Sequence, residues 1–283
     1  MDETLLAQIN QAHGTTFRLG QRYADGEQGA YALVDETGAP FVLKVTPDQS
    51  ALGRLEATAV LCERLRARGY PAPRYAVVGT TATAVYSVQT ALPGTPMRQP
   101  TSQHLPDVLA LNAMQVGQAP DMPRTWPAPV VTPTLEGGPG FCLLEPMRAH
   151  SAESSTLLER LQAIVRRGAG LVLPQDDVVH FDFTPLNILV DGERITGVID
   201  WDGACAGDRA FDLAALLFSS HQDRAVSEAL YAAARELVGP EAVALYLAHI
   251  AHRLVDWMIR FHPPMVSYIL DVAERQLGRY ANA

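Results

Sequence analysis

The segment VVHFDFTPLNILVDGERITGVIDWDGACAGDRAFDLA, Val178–Ala214, sets two carboxylates and an amide at fixed offsets: Asp182, Asn187 five residues on, and Asp200 thirteen after that. Two short apolar runs, NILV and ITGVID, flank DGER and predict a compact β-hairpin. Asp182 falls on the loop before it. Magnesium takes hard oxygen ligands and keeps waters and phosphates as partners. One carboxylate and one amide oxygen, with other positions open, suit a metal–nucleotide complex. A second carboxylate beside them could orient an attacking hydroxyl or accept its proton.

Toward the N-terminus the chain reads as a short amphipathic helix over 1–12, then strand, turn, strand, turn, strand from Phe17 to Val45, broken at ADGEQG and DETGAP. Ser50–Gly69 predicts a helix, with apolar residues at Leu52, Leu55, Ala59 and Cys62, then a glycine stop and prolines beyond. RYAVVG and AVYSVQT supply two further strands. The first 90 residues therefore predict a five-stranded antiparallel sheet with one inserted helix. ALPGTPM, Ala91–Met97, reads as a linker between lobes 1–92 and 93–283. A helix follows near Gln103–Val116. Residues 118–150 hold seven of the twenty prolines and predict irregular structure, a surface loop or lid. From Ser155 the chain reads as helical apart from 178–200, with three or four helices at the end.

Apolar residues make up 48% and charged residues 19%, a globular balance. No apolar run is long enough to span a bilayer, and the acidic MDETLLAQ start is unlike a secretory signal. Three scattered cysteines favour neither a disulfide framework nor a zinc site, and point to a reducing, cytoplasmic setting. The net charge is −9, and residues 1–100 hold nine acids and nine bases, so the whole excess lies beyond them. Such a surface disfavours nucleic acid and anionic membranes and favours cations. Nothing suggests a partner helix, so a monomer is expected.

H-x-D-x-x-x-x-N, then I-D-W, then G-D-x-x-x-D-L-A resembles the aminoglycoside phosphotransferase family, which is similar to choline kinases and shares the protein-kinase fold. The matching residues are His180, Asp182 and Asn187; Ile199, Asp200 and Trp201; Gly207 and Asp208; Asp212, Leu213 and Ala214. The resemblance implies an α+β, bilobal protein-kinase-like fold with a mainly helical C-terminal lobe. It implies Asp182 as the catalytic aspartate and Asn187 and Asp200 as magnesium ligands. His180 and Asp212 would brace the catalytic loop. Phe181 and Thr184 replace a glycine and a histidine of the family's usual H-G-D-x-H-P-x-N, and Leu186 fills a position that is often small.

A kinase-type site needs a strand lysine on the phosphates and a helix carboxylate to hold that lysine. FVLKV supplies Lys44, the only lysine beside 21 arginines, and Glu56 follows within the predicted helix. Gly26 and Gly29 in ADGEQGAYAL would let backbone N–H groups approach phosphates. VQTALPG resembles the family's hinge, where backbone groups near Thr90 and Ala91 would meet the base of ATP or GTP. The family phosphorylates hydroxyls of small molecules. The acidic second part makes a small cationic acceptor the expectation, an aminoglycoside or viomycin/capreomycin-type antibiotic, with Asp202 and Asp256 as ammonium contacts. The alternatives are a choline-like metabolite kinase and a nucleotide-binding pseudokinase. Lys44, Glu56, Asp182, Asn187 and Asp200 together argue against the pseudokinase.

Overall fold

Leu33, Phe41, Leu43, Val77, Tyr86 and Val88 bury one face of a five-stranded antiparallel sheet. Its strands are β1 (Arg18–Arg22), β2 (Tyr31–Val34), β3 (Pro40–Thr46), β4 (Tyr75–Thr80) and β5 (Val85–Thr90), in the order β1-β2-β3-β5-β4. Helix α1 (Glu3–His13) adds Leu6 and Ile9 to that face. On the other side helix α2 (Ala51–Ala67) packs Ala51 and Leu55 against Val85. Strand alternation puts Phe41 and Leu43 on the α1 face, so Lys44 falls on the other one. The computed structural model describes residues 3–22 and 30–281. Gly26 and Gly29, the expected phosphate-turn glycines, lie outside them.

The remaining elements are β6 (Thr95–Pro96), α3 (Leu105–Met114), α4 (Ala128–Glu136), α5 (Leu144–His150), α6 (Ala152–Gly168), β7 (Asp177–Val179), β8 (Ile188–Asp191), β9 (Arg194–Val198), β10 (Cys205–Gly207), α7 (Ala210–Ser219), α8 (Arg224–Val238), α9 (Pro240–Phe261) and α10 (Val266–Tyr280). They complete an α+β chain with a five-stranded antiparallel sheet first and mostly helices after it.

The chain divides into two compact units, Met1–Thr95 with Leu189–Asp202, and Pro96–Ile188 with Gly203–Ala283. Residues 189–202, assigned from sequence to the second lobe, thus belong with the first unit. The reason is local: Val198 N–H donates to Pro71 C=O at 2.8 Å, and buried Trp201 meets Tyr70 edge-on at 5.5 Å.

In the second unit β7 and β10 pair antiparallel, Val179 opposite Cys205. Buried α7 and α9 form the centre, with α6, α8 and α10 packed about them. Asp223 caps α8 by accepting the N–H of Val226 at 3.1 Å.

Residues 118–150 are not a loop or lid. Pro129 falls in the first turn of α4, where N–H groups lack intrahelical partners anyway, whereas Pro133 lies inside that helix and is buried. Both α4 and α5 pack on α9, and Trp126 is buried with its indole N–H donating to Tyr246 Oη at 3.1 Å. No helix among the described residues is long and apolar enough to cross a membrane.

Candidate active site

In the first unit, Lys44 on β3 makes two ion pairs, to Asp200 Oδ1 at 2.6 Å and to Asp202 Oδ2 at 3.0 Å. Burial alone would lower the lysine's pKa. The charges of Asp202 and Asp200 more than offset that, and the ammonium is held above its ordinary value. Asp200 has φ 65°, a left-handed conformation that aspartate tolerates better than most residues. The second oxygen of Asp202 is buried without a hydrogen-bond partner, as is the hydroxyl of Tyr75.

The expected Lys44–Glu56 pair is absent. The buried stripe of α2 runs through Ala51, Leu55, Thr58, Leu61, Cys62 and Leu65, while Leu52 and Ala59 are half-buried. That phase turns Glu56 to solvent. Cys62 lies on the inner face instead; burial pushes its thiol up, and the charges of Asp202 and Lys44 reach it. Asp202, expected to meet an acceptor, therefore takes the lysine-holding place foreseen for Glu56.

In the second unit, the loop after β7 carries Asp182. Asn187 donates through Nδ2 to Asp182 C=O at 2.9 Å and to Asp182 Oδ2 at 2.8 Å. Both amide hydrogens are thereby engaged, which leaves the amide oxygen for another partner. Asp212, fully buried on α7, accepts from His180 N–H at 2.8 Å, Phe181 N–H at 3.1 Å and Gln115 Nε2 at 2.7 Å. Burial raises its pKa while these donors and the His180 charge oppose the rise. Phe181 occupies the family's glycine position at φ 71°, the conformation that explains a glycine there. The phenylalanine is retained by stacking on Phe211, at 5.0 Å and 10° between planes.

One residue near Asp182 escaped sequence analysis. Arg253 on α9 donates to Asp182 Oδ1 and, at 2.9 Å, to Phe181 C=O. Nothing in the local pattern HRLVDWMIR marks it, since its partner lies 71 residues away. Asp256, the other expected ammonium contact, is fully buried and bound to Arg260 at 2.9 Å, so it is closed to a substrate. The hinge expectation also changes. Thr90 N–H donates to Arg74 C=O at 2.9 Å and Ala91 N–H to Pro40 C=O at 3.1 Å, so the sheet uses both donors.

Among the described residues no three His, Cys, Asp or Glu side chains cluster as a metal site. Taken one by one, the two expected ligands each offer magnesium a hard oxygen: Asn187 the spare oxygen of its amide, and Asp200 a half-exposed carboxylate.

A strand lysine held by carboxylates in one unit, and an Asp–Asn loop braced from beneath in the other, are the parts of a kinase-fold phosphotransferase. The sequence profile described as the phosphotransferase enzyme family (APH) matches residues 20–246. The chain belongs to that family and is a small-molecule kinase. It is 26% identical over 275 residues to a homoserine kinase of Azorhizobium caulinodans, covering 83% of this chain and 79% of that one. Solved structures share the fold. A thermostable mutant of aminoglycoside phosphotransferase APH(4)-Ia, in ternary complex with AMP-PNP and hygromycin B, superposes with TM-score 0.70 at 17% identity over 100% of both chains. Choline kinase LicA from Streptococcus pneumoniae gives 0.69 at 15% over 98% of this chain and 99% of that one. Amicoumacin kinase hAmiN, bound to AMP-PNP, Ca2+ and Ami, gives 0.67 at 14% over 97% and 94%.

Proposed function

We propose that the chain transfers the γ-phosphoryl group of ATP, with magnesium, directly to a hydroxyl of a small molecule. The observation that carries this reading is the Asp182–Asn187 loop, in which one amide fixes the aspartate and keeps its own oxygen available. Asn187 and Asp200 would hold the metal, whose charge offsets that of the phosphates during transfer. Lys44 meets the phosphate oxygens, and Asp202 keeps it in place. Asp182 orients the acceptor hydroxyl and takes up its proton as the new P–O bond forms. With the Thr90 and Ala91 N–H groups occupied, the base is met by their carbonyls and by N–H groups from Leu92 onward.

The names of the relatives span a hydroxy amino acid, an amino alcohol and two antibiotics. A cationic antibiotic as acceptor, with resistance as the outcome, rests on the acidic second part of the chain and the family resemblance; the two ammonium contacts expected for it, Asp202 and Asp256, are engaged with Lys44 and Arg260. What supports a kinase does not depend on those contacts. Asp182→Asn should lower kcat by roughly 100- to 10,000-fold while changing the KM for ATP by less than about threefold. Near-normal turnover in that variant, followed by ADP release, would sink the assignment.

A further inference from the structure

Arg253 is the charged group that α9 lays against Asp182. Two of its N–H groups go to Asp182 Oδ1 and Phe181 C=O, its guanidinium lies 5.6 Å from the Phe181 ring centre, and three of its five N–H donors remain. The side chain is 19% exposed, so it is reachable from solvent. Trp257, Arg260 and Phe261 follow at four, seven and eight residues on, the spacing of one helix face. Arg260 lies over Phe261 at 4.8 Å, and Phe261 is half-exposed. The acid of this stretch, Asp256, is turned inward. His249 and His252 add no charge: burial pushes His249 down to about 3 and lowers His252 as well.

We propose that the acceptor carries a carboxylate a few bonds from its reacting hydroxyl, and that Arg253 binds this carboxylate. The inference rests on the reading of Asp182 as the residue that receives the hydroxyl. A guanidinium with free N–H groups is a fork for a carboxylate, and it repels an ammonium placed there. Each hydrogen bond spans about 2.8 Å. A group held by Arg253 and a hydroxyl held by Asp182 are therefore roughly 4–6 Å apart, the reach of a β- or γ-hydroxy acid. In the reaction the hydroxyl oxygen bonds to the γ-phosphorus, the bond to the β-phosphate oxygen breaks, and the proton passes to Asp182. The products are ADP and a phosphorylated hydroxy acid.

The test compares matched acceptors with Mg-ATP: L-homoserine against 3-amino-1-propanol, L-serine against ethanolamine, with choline and hygromycin B alongside. For the wild type, kcat/KM should favour the carboxylate member of a pair at least about tenfold. Arg253→Gln should raise that acceptor's KM roughly 10- to 100-fold and erase the preference, with the KM for ATP nearly unchanged. Arg253→Lys should restore part of the loss, and it carries the test if the glutamine variant fails to fold by circular dichroism. Preference for the amine-only acceptors, choline or hygromycin B, lost in Asp182→Asn, overturns this inference and leaves the kinase standing. Turnover that Asp182→Asn leaves intact overturns the reading of Asp182 and this inference together.

Discussion

An ammonium on a strand meets phosphate oxygens reproducibly only if a fixed anion holds it. Lys44 has two anions, and they differ in standing. Asp200 is 46% exposed and sits at φ 65°, whereas Asp202 is 25% exposed with its second oxygen buried. If Asp200 turns to a metal, Asp202 is the anion that stays. Asp202→Asn should raise the KM for ATP about tenfold, the worth of one charge-assisted hydrogen bond in a partly buried place. Glu56→Gln, on the solvent face of α2, should leave that KM within about twofold. Steady-state kinetics on the two variants decides the matter, and a larger effect from Glu56→Gln would restore the helix carboxylate to the role. Lys44 itself was legible only in company, as a strand lysine in a chain that also carries Glu56 and the Asp182, Asn187 and Asp200 pattern. Its partner was not, because Leu52, Leu55, Ala59 and Cys62 fit a helix stripe that includes position 56. The real stripe is centred on Leu55, Thr58, Cys62 and Leu65.

At the level of elements, the legible parts are those whose chemistry lies close along the chain. The hairpin of β8 and β9, the Asp182–Asn187 loop and the start of α7 all fall within 37 residues of one another. Parts that depend on distant partners were hidden: Arg253 is tied to the loop from α9, and the two helices of the proline-rich stretch, α4 and α5, pack against α9. Gly207 shows why its motif position needs glycine. A Cβ there would stand 2.5 Å from the Trp126 ring, which the proline-rich stretch presses against β10. Neither group can yield cheaply, since one is backbone and the other a buried indole bonded to Tyr246. Gly207→Ala should therefore cost roughly 1–3 kcal/mol by overpacking and lower Tm by several degrees. Thermal unfolding measures it, and an unchanged Tm would mean that Trp126 does not need this contact.

For the molecule as a whole, the net charge of −9 conceals two buried carboxyls that resist ionisation, Asp212 and Asp208. Asp208 is buried where β10, α7 and α9 meet, accepting from Tyr246 Oη and from Ala210 N–H at 2.9 Å. Burial pushes its pKa up from 3.8 to about 6, although both hydrogen bonds oppose the rise. The folded chain thus keeps a proton that the unfolded chain releases, so this group's contribution to stability falls as pH rises from about 4 to about 6 and is constant above. Two pKa units correspond to on the order of 3 kcal/mol. Asp35 and Asp48, held below the usual range by hydrogen bonds from Thr37 and Ser50, act with the opposite sign and only below about pH 4. The windows are therefore separate. Asp208→Asn cannot ionise, so Tm of the variant minus Tm of the wild type should climb between pH 4 and 6 and level off by pH 7. The slope is the readout, because any pH-independent cost of the substitution shifts the whole difference by a constant. A difference that stays flat from pH 4 to 7 would show that Asp208 is ionised in the folded chain throughout.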